Sequence, residues 1–551
     1  MKKMNIFKPI ITGLILVVAI LAIQMKPQKH INVIETQLAS KETKVKVYDE
    51  NYNVVKELPR GTKVATTNER VENEKTYIKI THDNTEYLVL EENINEEIVQ
   101  EKTVFVRTPL VLYENNKDGK INSYIDKGEQ LEITGYDYIK EDGKVNMYEV
   151  EYNDVKGFVY EKYVDQNKEE ALKNYDNGYY EIHKKRTNTL GGGDAATLDY
   201  FPYEKPKFEN NAMPEDVRSL YINSNAITNI DEYIKLAKET NINAFVVDIK
   251  DNTSPAYKSD VMKELSPTNY NNAKLSKEEY KNLIQKIKDN GFYVIGRITV
   301  FKDDYYASDN KLDTIYDTRT NEPYKHNGSY WPSAYSRNVW YFNVELAKEA
   351  VEEMKFNEIQ FDYVRFPDRT SSIEPHLDYK NQYNETKAQA IQRFVMYACD
   401  EIHKLDAYVS IDVFAESAHS YVTSYGQYFP AISNVADVIS AMPYPDHFNK
   451  NQYGFKEPVW TKPYDLLKYW GENYVIKRQE ETTTPAIVRT WIQTYDAIRE
   501  PYITYDTDKI KEQIQGLYDA GLTGGYITWN SGSSLYKYNS VKEAFKINYK
   551  E

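Results

Sequence analysis

The stretch EIQFDYVRFP, Glu358 to Pro367, decides the fold. Successive strand residues point to opposite sides. Here Gln360 and Asp362 share one side, whereas Ile359 and Phe361 share the other. Pro367 cannot donate to a central ladder, so it marks the end of the run. A short β-rich segment that is polar on one side and apolar on the other has two different environments to satisfy.

Seven similar runs surround it: VRSLYINSN (217–225), AFVVDIKD (244–251), YVIGRITVF (293–301), YVSIDVFAES (408–417), VISAMPYPDHF (438–448), AIVRTWIQTY (486–495) and GGYITWNSG (524–532). Helical patterns lie between them, among them IDEYIKLAKETN and EEYKNLIQKIKDNG, the second closing on Gly291 as a helix C-terminus should. Eight β-rich runs alternating with helices predict an α/β domain, a (β/α)₈ TIM barrel, over residues 213–551. The polar side recurs in most runs: Asp248 and Lys250, Arg297 and Thr299, Ser410 and Asp412 with Glu416 beyond, Arg489 and Gln493, Thr528 and Asn530. In a barrel this side is expected to line the interior near the C-terminal mouth, where active sites of the fold sit.

Upstream, residues 40–167 carry short alternating runs with turn signals, the pattern of small all-β units, and the pattern occurs twice, at 40–97 and 98–167. Residues 168–212 are polar and irregular, with Gly191-Gly192-Gly193 and three prolines nearby, and are expected to be a linker. At the extreme N-terminus, Lys2, Lys3 and Lys8 precede an apolar run from Ile10 to Ile23 with no A-x-A cleavage site after it. Residues 1–29 are therefore expected to be a membrane anchor or a signal peptide, with the rest of the chain at the cell surface facing outside, or secreted if the segment is cleaved.

Acidic residues outnumber basic ones 84 to 69, which argues against a nucleic-acid partner because phosphate backbones need clustered cations. A lone cysteine, Cys399, excludes an intrachain disulfide framework and a multi-cysteine metal site; it is expected to be a small buried residue in a helix. The histidines show no H-x-x-x-H pair, and the chain has no P-loop and no GxGxxG, so no metal, nucleotide or other cofactor is indicated.

The 51 tyrosines suit strands and also suit stacking against sugar rings. Cleavage of a glycosidic bond needs two carboxyl groups flanking it, about 5 to 5.5 Å apart for retention and about 6.5 to 9.5 Å for inversion. Strands 4 and 5 of a barrel, about 4.8 Å apart, can supply such a pair. Asp362 is the first candidate, with Arg365 beside it in sequence as a cation to favour its ionised form. On the fifth run both Asp412 and Glu416 lie on the polar side, and spacing alone does not choose between them. Candidate substrate contacts are Asp248, Lys250, Arg297, Arg365, Tyr444, Asp446, His447, Arg489, Trp491, Trp529 and Asn530, with Trp331 a further candidate stacking surface.

The ordered set FVVDIKD, YVIGRITVFKD, FDYVRFPD, IDVF, ISAMPYPDHF, VRTWIQ and GGYITWN resembles a bacterial family of glycosyl hydrolase TIM barrels, distantly related to the α-amylase-like barrels. The resemblance implies hydrolysis of a polysaccharide with Asp362 as a catalytic carboxylate and its partner on strand 5. Where the family usually has glycine after IDVF this chain has Ala415 and then Glu416, so the motif supports Asp412 as the partner. The second all-β unit resembles bacterial SH3-like modules at Gly128-Glu129 and Gly157-Phe158-Val159, the first unit less closely. That resemblance implies binding to the cell wall, with peptidoglycan or another polysaccharide as partner, or a spacer role. The competing expectation is a barrel that binds glycan without cleaving it.

Overall fold

The computed structural model describes residues 34–40, 43–83, 85–94, 103–137, 145–175, 178–186 and 191–550. They fall into two compact units, residues 1–105 with 130–167 and residues 106–129 with 168–551. No helix among the described residues is long and apolar enough to cross a membrane. The expected anchor, residues 1–29, lies outside them.

The N-terminal unit is mostly antiparallel β-structure. Its first sheet runs Ile34–Gln37, Lys63–Asn73, Lys75–His82, Thr85–Leu90, Lys44–Tyr48 and Val54–Pro59 in spatial order. Val45, Val47, Val64, Ile78, Ile80 and Val89 form its core, each from the apolar side of an alternating strand. The sheet takes in Ile34–Gln37, so it begins ahead of the boundary expected at residue 40. The second β-rich stretch is divided between the units. Strands Thr103–Val106, Gln130–Tyr136, Met147–Tyr152 and Val155–Tyr160 form an antiparallel array in the N-terminal unit. The hairpin Leu110–Tyr113 and Ile121–Ile125 belongs to the second unit.

That second unit is a parallel barrel. Its strands are β1 Val217–Ile222, β2 Ala244–Asp251, β3 Tyr293–Thr299, β4 Glu358–Asp362, β5 Tyr408–Phe414, β6 Val438–Met442, β7 in two pieces, Ile487–Val488 and Thr490–Gln493, and β8 Gly525–Trp529. Each pairs in parallel with the next, and β8 pairs β1. The ring nearly closes at β7: its first piece pairs β6 and its second pairs β8, with the break at Arg489. A helix follows each strand: α1 Ile230–Lys238, α2 Lys277–Asp289, α3 Arg337–Met354, α4 Lys387–His403, α5 Phe429–Val435, α6 Pro463–Trp470, α7 Thr507–Asp519 and α8 Leu535–Ser540.

Local chemistry sets the helix ends. Capping boxes, Ser276 with Glu279 and Thr386 with Gln389, start α2 and α4 and satisfy N–H groups that have no partner within the helix. Gly291 ends the α2 turn at φ +83°, a conformation open to glycine without a Cβ clash. Helix α4 is buried almost all round because both of its faces are covered. Phe394 meets Phe361 of β4 and Phe301 on the barrel side. On the other side Tyr397 stacks on Tyr113 of the hairpin, and its hydroxyl donates to the Gly119 carbonyl at 2.8 Å. Cys399 lies buried in this helix.

Residues 191–212 pack on the barrel instead of serving as a free tether. Ala195, Leu198 and Tyr200 share a core with Ala388, Val422 and Tyr428. The glycines there serve close approach: a Cβ on Gly192 would sit 1.9 Å from the Thr423 carbonyl oxygen, and Gly192 itself accepts a bond from the Ala388 N–H. A polar, glycine-rich composition reads the same whether the backbone is loose or tightly docked.

Candidate active site

Strands β2, β3 and β4 place an arginine among three aspartates at the C-terminal end of the barrel. Arg297, fully buried on β3, donates to Asp248 of β2 at 2.8 Å and to Asp362 of β4 at 2.5 Å, with Asp251 at 3.8 Å. The other oxygen of Asp248 accepts from the Tyr221 hydroxyl at 2.7 Å. Burial pushes the Asp248 carboxyl up to about 6, even with Arg297 pulling the other way. Asp251 is also pushed up by burial, but Arg297, the Thr299 hydroxyl and the Asn252 N–H outweigh this and leave it below the ordinary value.

The chain turns sharply after Asp362. Tyr363 has φ +54°, a left-handed conformation that costs a non-glycine residue about 1–3 kcal/mol. The turn brings the Tyr363 N–H back to Oδ1 of Asp362 at 2.6 Å. Both oxygens of Asp362 are thus held by donors, and its side chain is 7% exposed.

Asp412 occupies the matching position on the next strand. Phe361 pairs with Ile411, so Asp362 and Asp412 follow at the same level of β4 and β5. Asp412 is completely buried; its Oδ1 accepts from the Trp491 indole N–H at 2.8 Å, and its Oδ2 has no partner. Burial first, and the neighbouring Asp362 second, raise its carboxyl well above the usual range against the opposing pull of Trp491 and Arg297. Tyr444 from the end of β6 lies near both carboxyl groups, and its phenol is raised by burial first and then by Tyr495 and these carboxyls. Its ring stacks on Trp529 at 6.2 Å, and Trp529 also meets Tyr221 and Trp491. Trp529 is partly buried.

Several side chains expected to line this space do not. A β-bulge after Asp248 shifts the register, so that Lys250 stands opposite Ile298 and not Thr299. The bulge turns Lys250 outward, where its ammonium pairs with Asp303 at 2.7 Å and lies 5.6 Å from the Phe342 ring of α3. It turns Asp251 inward in exchange. On β8 the interior parity belongs to Ile527 and Trp529, so Asn530 faces away; it donates to the Thr494 carbonyl and accepts from the Ser534 N–H. Arg489 is inside the barrel but at its opposite end, paired with Glu358 at the start of β4 at 2.7 Å. Arg365 does not reach Asp362: it bonds Asp368 and lies over the rings of Phe414 and Trp331. Trp491 is too deeply buried to stack on a ligand and instead holds Asp412.

Glu416 lies past the end of β5 in a 3₁₀ turn, where the strand parity no longer applies. Its two oxygens accept from the Tyr421 and Tyr425 hydroxyls at 3.0 and 2.9 Å. Asp446 is buried and holds the Tyr495 hydroxyl and the Ile498 N–H. His447 is exposed at the mouth, edge-on to Tyr444 at 5.2 Å. Trp331 is buried behind Tyr363. Sequence reading missed Tyr221, whose place in an apolar run, VRSLYI, gave no sign that its hydroxyl would seat Asp248. No group of three or more His, Cys, Asp or Glu side chains among the described residues is arranged to hold a metal ion.

Comparison with known proteins bears on this arrangement. No curated protein matches the chain. Among solved structures, a hypothetical protein from Ruminiclostridium thermocellum is 28% identical, covering 35% of this chain and 97% of its own, with a TM-score of 0.30. The PgaB (BpsB) glycoside hydrolase domain from Bordetella bronchiseptica is 14% identical over 60% of this chain and 98% of its own, with a TM-score of 0.44. A class V chitinase from Pseudomonas fluorescens is 13% identical over 60% of this chain and 98% of its own, with a TM-score of 0.38. The family model described as "Putative glycosyl hydrolase domain" matches residues 219–536, the barrel from β1 to α8. With that match spanning more than half of its length, the chain belongs to this glycosyl hydrolase family, and its barrel is a carbohydrate-acting hydrolase domain.

Proposed function

We propose that the barrel hydrolyses O-glycosidic bonds in a cell-wall or surface polysaccharide, with Asp362 as the anionic carboxylate and Asp412 as the proton donor. The observation that carries this reading is the contrast between the two groups. Asp362 accepts from two donors, Arg297 and the Tyr363 N–H, one on each oxygen. Asp412 is buried beside it and held well above the ordinary carboxylate range, which favours an acid. A raised carboxyl group on the strand next to a carboxylate whose two oxygens both accept hydrogen bonds is an arrangement suited to acid catalysis at a glycosidic bond.

The indole N–H of Trp491 donates to Oδ1 of Asp412, and the partnerless Oδ2 is the oxygen that carries the proton in this reading. Neighbouring parallel strands lie about 4.8 Å apart, close to the separation of about 5–5.5 Å used for retention, in which Asp362 attacks the anomeric carbon. The partly buried Trp529, which keeps some exposure among the rings around the carboxyl pair, has the chemistry to meet the apolar face of a sugar ring. For Glu416 to act as the acid it would first have to release two tyrosine hydroxyls. The lysine-flanked apolar run near the N-terminus supports a location at the cell surface, anchored or secreted, and the SH3-like resemblance of the β-rich region supports attachment to wall polysaccharide.

The test is incubation of the chain from residue 30 onward with peptidoglycan, secondary wall polymers and exopolysaccharides, following released reducing ends by mass spectrometry. Release by the wild type that is lost in Asp362→Asn is the expected result. Undiminished release by Asp362→Asn would refute the assignment of Asp362. Tight binding with no release from any polymer would assign the barrel to glycan binding without cleavage.

A further inference from the structure

A series of aromatic side chains, joined at one step by chain adjacency alone, leads away from the proposed site. Tyr444, stacked on Trp529, meets His447 edge-on, and the adjacent Phe448 packs on Tyr453 at 6.0 Å. Tyr453 lies against Tyr474 at 4.9 Å and Tyr469 at 5.3 Å. Tyr444 is buried at 4% exposure, whereas His447 and Tyr469, the latter at 38%, are exposed and Phe448, Tyr453 and Tyr474 are partly buried. The outer rings come from two separate segments, the loop after β6 and the end of α6 with the residues that follow it.

The position of Tyr453 is imposed on it. The residue has φ +59°, a left-handed conformation normally left to glycine or asparagine. Its hydroxyl lies 3.1 Å from Nε2 of His419, whose other ring nitrogen meets the Tyr421 hydroxyl at 3.1 Å. Strain of this kind persists only where the surroundings over-determine it, and it gathers at functional surfaces. Half-exposed rings with polar tips have the chemistry of sugar recognition, since the rings take the C–H faces and the hydroxyls take the rim.

We propose that this track is a distal binding subsite for a polysaccharide chain leaving the barrel mouth. The occupant is argued from continuity with the candidate active site, because the series starts at Trp529 and passes through Tyr444, His447 and the adjacent Phe448 to the exposed Tyr469. The proposal rests on the hydrolase reading for the identity of the chain bound, but not for the binding itself.

Two measurements on the full chain decide it. The first compares kcat/KM on glycan strands from peptidoglycan with that on a 4-nitrophenyl glycoside of N-acetylglucosamine, for wild type and the double variant Tyr469→Ala with Tyr474→Ala. Loss of two stacking rings is expected to lower the value on strands about tenfold or more while the glycoside value stays within about twofold. Equal losses on both, or none on the strands, overturn the proposal. The second follows retardation of Asp362→Asn in native gels containing glycol chitin or the same strands, with and without the two alanines. Retardation that disappears with the alanines and returns with Tyr469→Phe and Tyr474→Phe supports the track even if no hydrolysis is found. Retardation indifferent to these changes, or absent from both gels, overturns it.

Discussion

Replacing Arg297 with methionine puts the charge arrangement of the mouth to its most direct test. The guanidinium is fully buried and is hydrogen-bonded to Asp248 and Asp362. Methionine keeps the length of the side chain and removes the charge, leaving those carboxylates buried without their counter-ion. Breaking a buried ion pair in this way costs about 3–5 kcal/mol. The entropy of unfolding is about 2.1 cal/mol/K per residue. For a barrel of roughly 340 residues that sums to about 0.7 kcal/mol/K, so the cost corresponds to a fall in Tm of about 4–7 °C.

The fall should depend on pH in a definite direction. Asp248 already stands at about 6 in the wild type, above its unfolded value, so the native state holds its proton more tightly than the unfolded chain does. Stability from such a group is fully present below the unfolded pKa and is lost as pH rises through the folded one. Without Arg297 the folded value moves higher still, so the deficit should be widest near pH 8 and narrow toward pH 5. Calorimetry of the barrel transition at pH 5, 7 and 8 measures this. A Tm within about 1 °C of wild type at pH 8, or a deficit that does not change with pH, would refute the reasoning.

Two further outcomes follow from neighbouring contacts. Trp491→Phe removes the N–H that lowers the Asp412 pKa, so the alkaline limb of kcat/KM should move to higher pH; a limb that stays put or moves down removes Asp412 from the role of proton donor. Lys250→Met should cost about 3–5 kcal/mol in denaturant unfolding by leaving the buried Asp303 without its counter-ion, yet leave the pH profile of the folded enzyme unchanged. A shifted profile would mean that Lys250 acts on the site after all.

Much of the barrel was legible because its signals are local. Eight β-rich runs separated by helical patterns, with polar residues on one parity, follow from side-chain alternation, and the structure has strands at all eight. Asp362 and Asp412 could be placed on adjacent strands, but neither their matching depth nor the properties that distinguish them were legible. Those depend on Arg297 and Trp491, contributed by β3 and β7 and remote from both in sequence. Parity counting failed where the backbone departs from regularity. One extra residue in β2 exchanged Lys250 for Asp251, and on β8 the indole of Trp529 took the interior position while Asn530 was used to hold a loop. Arg489 had the right parity but the wrong depth, because a pattern along one strand does not show which end of the barrel a residue occupies. The supposed linker misled for a related reason, since glycine permits tight docking as readily as looseness.

By itself, then, the sequence determined the alternation of elements, the parity of most strands, the family and the carboxylate on β4, all of which are carried by short-range periodicity and by the order of the motifs. Only the tertiary structure decided which carboxyl is buried and raised well above the ordinary range and which is paired with a cation. A pKa is set by burial and by charges within a few ångströms, and around Asp412 those come from strands that meet only when the barrel closes.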